Sequence, residues 1–190
     1  MLTPVDFLRY LECERNYSKI TINDYKESLD LFERYFKQQT GQDTILWQEI
    51  NTGDIREWMM KLVETKRSSA TVNSRLSALR SFYRFLLQRG EVKGNPTSKI
   101  IGPKSEKKLP EFVREKEMDH LLDILEAEEN TWQDKRNRLM ILMFYSTGMR
   151  LSELRNLKIK DVDFNTQTIK VTGKRNKQRL IPFGKELYDV

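Results

Sequence analysis

The chain has 190 residues, with 34 Lys and Arg against 28 Asp and Glu, a formal charge of +6 and a pI near 9.3. The lone cysteine, Cys13, excludes an internal disulfide and suits a reducing compartment. The longest apolar run, Leu139 to Tyr145, falls far short of the ~20 residues that span a bilayer, and the N-terminus lacks an export-signal pattern. A cytoplasmic protein with no membrane partner is expected, and its basic balance points to a polyanion.

Residues 1–102 read as an all-helical unit. Thr3-Pro4 is a cap followed by proline at the first helical position, with Phe7, Leu8 and Leu11 on one face. Ser18 is placed to cap a second helix in which Tyr25, Leu29, Phe32 and Phe36 repeat at helical spacing, running out near Gly41. Asn51 or Thr52 opens a third, with Ile55, Trp58, Met59 and Leu62 inward. Ser68 or Ser69 opens a fourth, which ends at Gly90. Helical spacing alone explains the aromatic residues as core, so no base-stacking platform is needed.

The fourth helix carries the strongest charge signal of this unit. From Lys66 to Arg89 the chain has Lys66, Arg67, Arg75, Arg80, Arg84 and Arg89 and no acid. Val72, Leu76, Leu79, Tyr83 and Leu86 repeat toward the core, while Asn73, Ser77, Arg80 and Arg84 form a neighbouring stripe. A solvated surface can be cationic too. A short, hydroxylated stripe without acids, however, suits close approach to a sugar–phosphate backbone. Lys66, Arg67, Asn73, Ser77, Arg80 and Arg84 are therefore candidate DNA contacts.

Residues 103–110, Pro-Lys-Ser-Glu-Lys-Lys-Leu-Pro, read as an extended basic linker, with Lys104 a further candidate contact. Residues 111–190 follow as a second unit. They open on an acidic amphipathic helix, Met118 to Leu125, that contains the only histidine, His120, in a helix-edge setting. A helix predicted from about Asp134 to Ser146 is apolar all round in its C-terminal half and needs neighbours on every side. The other local elements are too few to supply them, so an exposed apolar patch is expected in this unit.

The most informative stretch is Tyr145-Ser-Thr-Gly-Met-Arg-Leu-Ser-Glu-Leu-Arg155. Gly148 can take the positive φ that ends a helix, and Ser152 to Leu154 reads as the start of another. Arg150 is thereby delivered to a helix–helix corner. Pairing with Glu153 at a helix end is the plain reading. Five fixed donors also suit a phosphate. Downstream, Thr168 to Val171 and Arg179 to Phe183 read as two strands of a hairpin around Gly173-Lys-Arg-Asn-Lys177. Between Lys170 and Arg179 stand five Lys or Arg and no acid. The tip, with Lys174, Arg175 and Lys177, has the charge of a finger reaching a polyanion.

Thr147-Gly-Met-Arg-Leu-Ser-Glu-Leu154 followed by Val171-Thr-Gly-Lys-Arg-Asn-Lys-Gln-Arg-Leu-Ile-Pro182 resembles the first half of the catalytic domain of a tyrosine recombinase, in the Xer and phage-integrase branch. The resemblance implies a mainly α fold: a helical core-binding domain followed by an α+β catalytic domain with a small hairpin or sheet. It implies Arg150 and Lys174 as catalytic residues at the scissile phosphate, with Glu153 as a supporting acid. Arg175 departs from the glycine common in the family. It further implies double-stranded DNA and recombinase subunits of the same family as partners, and no metal or other cofactor. The family's later His-x-x-Arg box and nucleophilic tyrosine are not in these 190 residues, and Tyr188 lies in the opening of a helix after the hairpin. The expectation is a DNA-binding portion of a recombinase, inactive alone. A non-enzymatic DNA-binding regulator is the alternative.

Overall fold

The computed structural model describes residues 2–105, 109, 111–173 and 176–189, which fall into two compact units, Met1–Lys108 and Leu109–Val190. Mainly helical with a small antiparallel sheet, the fold is of the class the sequence led us to expect.

The first unit is built on α1 (Pro4–Cys13), α2 (Lys19–Thr40), α3 (Thr52–Glu64) and α4 (Ser69–Gln88). Each start has a capping side chain or carboxylate. Asp6 Oδ2 accepts from the Thr3 N–H at 2.8 Å, and Ser18 Oγ accepts from Thr21 N–H at 3.3 Å. Of the alternative starts offered for the next two helices, the caps are Asn51, which accepts from Gly53 N–H at 2.6 Å, and Ser68, which accepts from Thr71 N–H at 3.2 Å. These bonds satisfy amide donors that a helix leaves free at its first turn. α2 stops at Gly41, whose φ of 70° is a left-handed cap.

α4 forms the spine of this unit. Val72, Leu76, Leu79, Phe82, Tyr83 and Leu86 are fully buried, and Phe7, Leu29, Phe32 and Ile55 meet them from the other three helices. The connecting segments add Trp47, Ile50 and Ile100 to the same core. Past Ile100 the chain lies along α4. Asn73 donates its Nδ2 to the Pro103 carbonyl at 2.9 Å and to Ser105 Oγ at 3.3 Å. A Cβ on Gly102 would fall 1.8 Å from Asn73 Oδ1, so a larger residue there would have to displace the Asn73 amide. Residues 103–105, read from the sequence as linker, are thus tied to α4 through the Asn73 side chain of its polar stripe.

The second unit comprises α5 (Glu115–Ala127), α6 (Trp132–Thr147), α7 (Leu151–Arg155), a 3-10 turn (Ile159–Asp161), β1 (Val162–Asp163), β2 (Thr168–Thr172), β3 (Gln178–Pro182) and α8 (Lys185–Asp189). The strands pair antiparallel in the order β1-β2-β3, with Ile169 opposite Val162 on one side and Ile181 on the other. Their inner face joins Met143, Met149 and Phe183 in a small core.

α6 is not buried all round. Only Leu142 and Met143 are buried; Leu139, Met140, Ile141 and Phe144 are half-buried and Tyr145 is exposed. The reason is the shortage of neighbours, since α5 itself contributes no buried residue. Trp132, Phe164, Leu180 and Tyr188 add further exposed apolar area, 68%, 55%, 66% and 48% respectively. Among the described residues, no helix is long and apolar enough to cross a membrane.

Candidate nucleic-acid interface and phosphate site

The corner at Arg150 is made by the local chain. α6 ends at Gly148 (φ 59°, ψ 23°), whose N–H donates to the Phe144 carbonyl at 3.0 Å. Met149 then turns into the core, and Arg150 adopts an extended conformation (φ −81°, ψ 153°) at the N-cap of α7. With Met149 pointing in, Arg150 points out: its side chain is 68% exposed.

Glu153, one turn on, is the anchor. It is buried, and its carboxylate accepts four hydrogen bonds: Arg150 N–H at 2.8 Å and Arg179 Nη2 at 2.9 Å on Oε2, Arg150 Nη1 at 3.0 Å and Arg179 Nη1 at 2.7 Å on Oε1. The bidentate Arg179 guanidinium, then the Arg150 amide, hold this carboxylate down to a pKa of about 2, so it is ionised at neutral pH. The cluster of Arg150, Glu153 and Arg179 carries a net positive charge. Its exposed donors belong chiefly to Arg150, which gives Glu153 only one side-chain nitrogen. A guanidinium held by a buried carboxylate, with its remaining N–H groups toward solvent, is preoriented to meet an incoming oxyanion.

The end of β2 closes over this carboxylate. Gly173 donates its N–H to the Lys177 carbonyl at 2.7 Å, and a Cβ at Gly173 would lie 2.9 Å from Glu153 Oε1. The glycine lets the chain leaving β2 press against the anchor, close to Arg150 Nη1. Lys174 and Arg175, the candidates that follow, lie outside the described residues. Asn176 takes a left-handed φ of 58°, and Lys177 is exposed.

The sequence motifs do not single out Arg179, although the strand pattern contains the signal. Residues 179 and 181 share one face of β3, and both Ile181 and Phe183, which follows the strand, are buried. Arg179 stands opposite Val171, itself buried, so it occupies the inward row at the edge of the core. From that row its guanidinium, still 42% exposed, reaches the buried carboxylate of Glu153.

On α4 the candidate residues separate into two groups. Asn73 and Arg80 are half-buried and engaged with the chain that follows: Arg80 donates from Nη2 to the Ile100 carbonyl, and Asn73 holds Pro103 and Ser105. Ser77 and Arg84 are exposed, and among the described residues Arg84 makes no ion pair. Lys66 is exposed in a left-handed turn (φ 57°) immediately before the helix, next to exposed Arg67. Lys104 is exposed as well. Arg75 is turned aside by Ser28 and Glu27, at 3.1 and 2.7 Å. The sequence stripe was right in period but could not show that the chain returning over α4 takes up two of its members.

Comparison with known proteins matches both units to one family. Residues 5–90 match the phage integrase N-terminal SAM-like domain, and residues 111–190 match the phage integrase family. Over 178 residues the chain is 39% identical to tyrosine recombinase XerC of Bacillus licheniformis, covering 94% of this chain and 57% of that protein. The XerH recombinase bound to palindromic difH substrate has a similar fold, with a TM-score of 0.70 at 23% identity over 100% of this chain and 56% of that one. The Tn1549 transposon integrase in complex with transposon right end DNA gives a TM-score of 0.75 at 18% identity, over 99% and 63%. The chain belongs to the phage integrase family, the tyrosine recombinases. It spans little more than half the length of the curated relative named here, 57%.

Proposed function

We propose that this chain is the DNA-binding portion of a site-specific tyrosine recombinase, in which the helical unit grips duplex DNA and the second unit presents Arg150 to the scissile phosphate. The observation that carries the reading is the exposed Arg150 guanidinium fixed at a helix corner by buried Glu153. In the complete reaction a tyrosine attacks that phosphate, giving a 3′-phosphotyrosine link and releasing a 5′ hydroxyl. Negative charge gathers on the phosphoryl oxygens, and Arg150 would stabilise it through donors already in place. Lys174, on the hairpin, would give a proton to the departing 5′ oxygen. The bond energy is kept in the phosphotyrosine, so the chemistry calls for no cofactor.

No residue of this chain is assigned as nucleophile. His120 is exposed on α5, and Tyr188 belongs to the five-residue α8. Similarity to recombinases solved on DNA, one of them a lambda integrase dimer bound to a COC′ core site, supports duplex DNA and further recombinase subunits as partners.

In the helical unit, Lys66, Arg67, Ser77 and Arg84, with Lys104, are the side chains proposed to contact backbone phosphates; Asn73 and Arg80 shape that surface from beneath. Each phosphate neutralised contributes about −0.9 to the log–log salt dependence of duplex affinity. Replacing Arg84 with alanine should flatten the slope by about that amount and weaken all duplexes alike. Arg80→Ala should leave the slope nearly unchanged and instead lower thermal stability, by the ~1.5–3 kcal/mol of a charged hydrogen bond. Titration of a labelled duplex at several salt concentrations, beside thermal melts, checks both. An unaltered slope in Arg84→Ala would remove this face of α4 from the interface.

A further inference from the structure

We infer that Arg179 is a positioning residue for Arg150, acting through the carboxylate they share. This rests on the reading of Arg150 as the phosphate ligand. Glu153 has two oxygens, and Arg179 meets both of them with its two terminal nitrogens, at 2.7 and 2.9 Å. Such fork-to-fork pairing is the preferred geometry of guanidinium with carboxylate, and Arg150 would adopt it if the place were free. Because Arg179 holds it, the Arg150 side chain reaches only Oε1, through Nη1 at 3.0 Å. Its other donors stay available to a ligand, while the Arg150 N–H on Oε2 ties the same carboxylate to the start of α7.

Arg179 therefore does two things by one contact. It occupies both oxygens of Glu153, limiting the Arg150 side chain to a single contact, and it leaves the cluster cationic rather than neutral. Its own side chain is less exposed than that of Arg150, 42% against 68%, consistent with a support rather than the ligand itself. Removing it should let Arg150 fold down onto Glu153 in a bidentate pair, hiding the donors a phosphate needs.

The test is a double-mutant cycle on the 190-residue chain, using a labelled duplex at low salt, with Arg179→Gln, Arg150→Gln and the pair together. Coupled residues give non-additive effects. Arg179→Gln is expected to weaken duplex binding by about tenfold in the wild-type background and by less than about twofold when Arg150 is already glutamine. Arg179→Lys keeps the charge but lacks the planar fork, so it should restore only part of the loss. Equal losses in both backgrounds, or full rescue by lysine, would overturn the inference. The second readout is the arginine side-chain NMR spectrum of the free protein. The Arg150 guanidinium signals should shift on Arg179→Gln, with the Nη groups becoming distinct as rotation is restrained. If Arg150→Gln binds the duplex like wild type, the phosphate reading fails, and an unchanged or changed spectrum still decides the positioning role.

Discussion

Phe82→Ala should unfold the helical unit at temperatures where the wild type is stable. Phe82 is fully buried at the centre of an aromatic cluster, edge-on to Trp47 at 4.9 Å and tilted against Phe7 at 5.4 Å and Tyr83 at 5.7 Å. Truncating a buried phenylalanine removes its transfer free energy and leaves a cavity that rigid aromatic neighbours cannot close, a loss of about 3–5 kcal/mol. Single domains are stable by only ~5–15 kcal/mol. Thermal unfolding of the helical unit, followed through Trp47 and Trp58, should move down by roughly 15 °C or more. Exposed Val5→Ala on α1, in the same assay, should change little. A shift for Phe82→Ala as small as that of Val5→Ala would contradict the packing described.

The second large effect is expected at Glu153. Its carboxylate has a pKa of about 2 when folded against an ordinary value of 4.5, with Arg179 the main cause. A depressed carboxylate stabilises the fold above its unfolded pKa, and that contribution is lost as pH falls through the folded value. Stability of the second unit should therefore decline between about pH 4.5 and 2 as Glu153 takes up its proton. Asp134 and Asp163 are also held low, by hydrogen bonds from Thr131 and Thr166, so the wild-type decline is a sum. Glu153→Gln isolates the part in question. The variant should melt lower at pH 7, because an amide cannot satisfy two guanidinium groups, and should show a shallower acid dependence. Melts across this range, read through Trp132, check it. Parallel pH profiles for wild type and variant would show that the carboxylate does not anchor this unit.

The helices were legible because their signals are local. Ser18, Asn51 and Ser68 cap helices that follow them at once, and Gly41 and Gly148 take the left-handed conformations that stop α2 and α6. Arg150 could be placed at a corner for the same reason: the glycine before it and the acid after it are neighbours in sequence. What escaped notice depends on residues far apart in the chain. β1 has only two residues, too few to show a period, and exists because β2 offers it an edge. Arg80 and Asn73 read as surface until residues 100–105 returned over α4 to take their donors. The all-round apolar half of α6 suggested burial, yet burial depends on what surrounds a helix. Arg179 lies between these cases, since its place in the inward row of β3 was readable but the identity of its anion was not.

The central claim is that Arg150 meets a DNA phosphate, and salt-dependent duplex binding by wild type and Arg150→Gln tests it most directly. Glu153 and Arg179 remain paired in the variant, so the anchor survives while the exposed donors are lost. If Arg150 neutralises one phosphate, the variant should bind more weakly, with a log–log salt slope shallower by about 0.9. Equal affinity and equal slope for the two proteins would contradict the account.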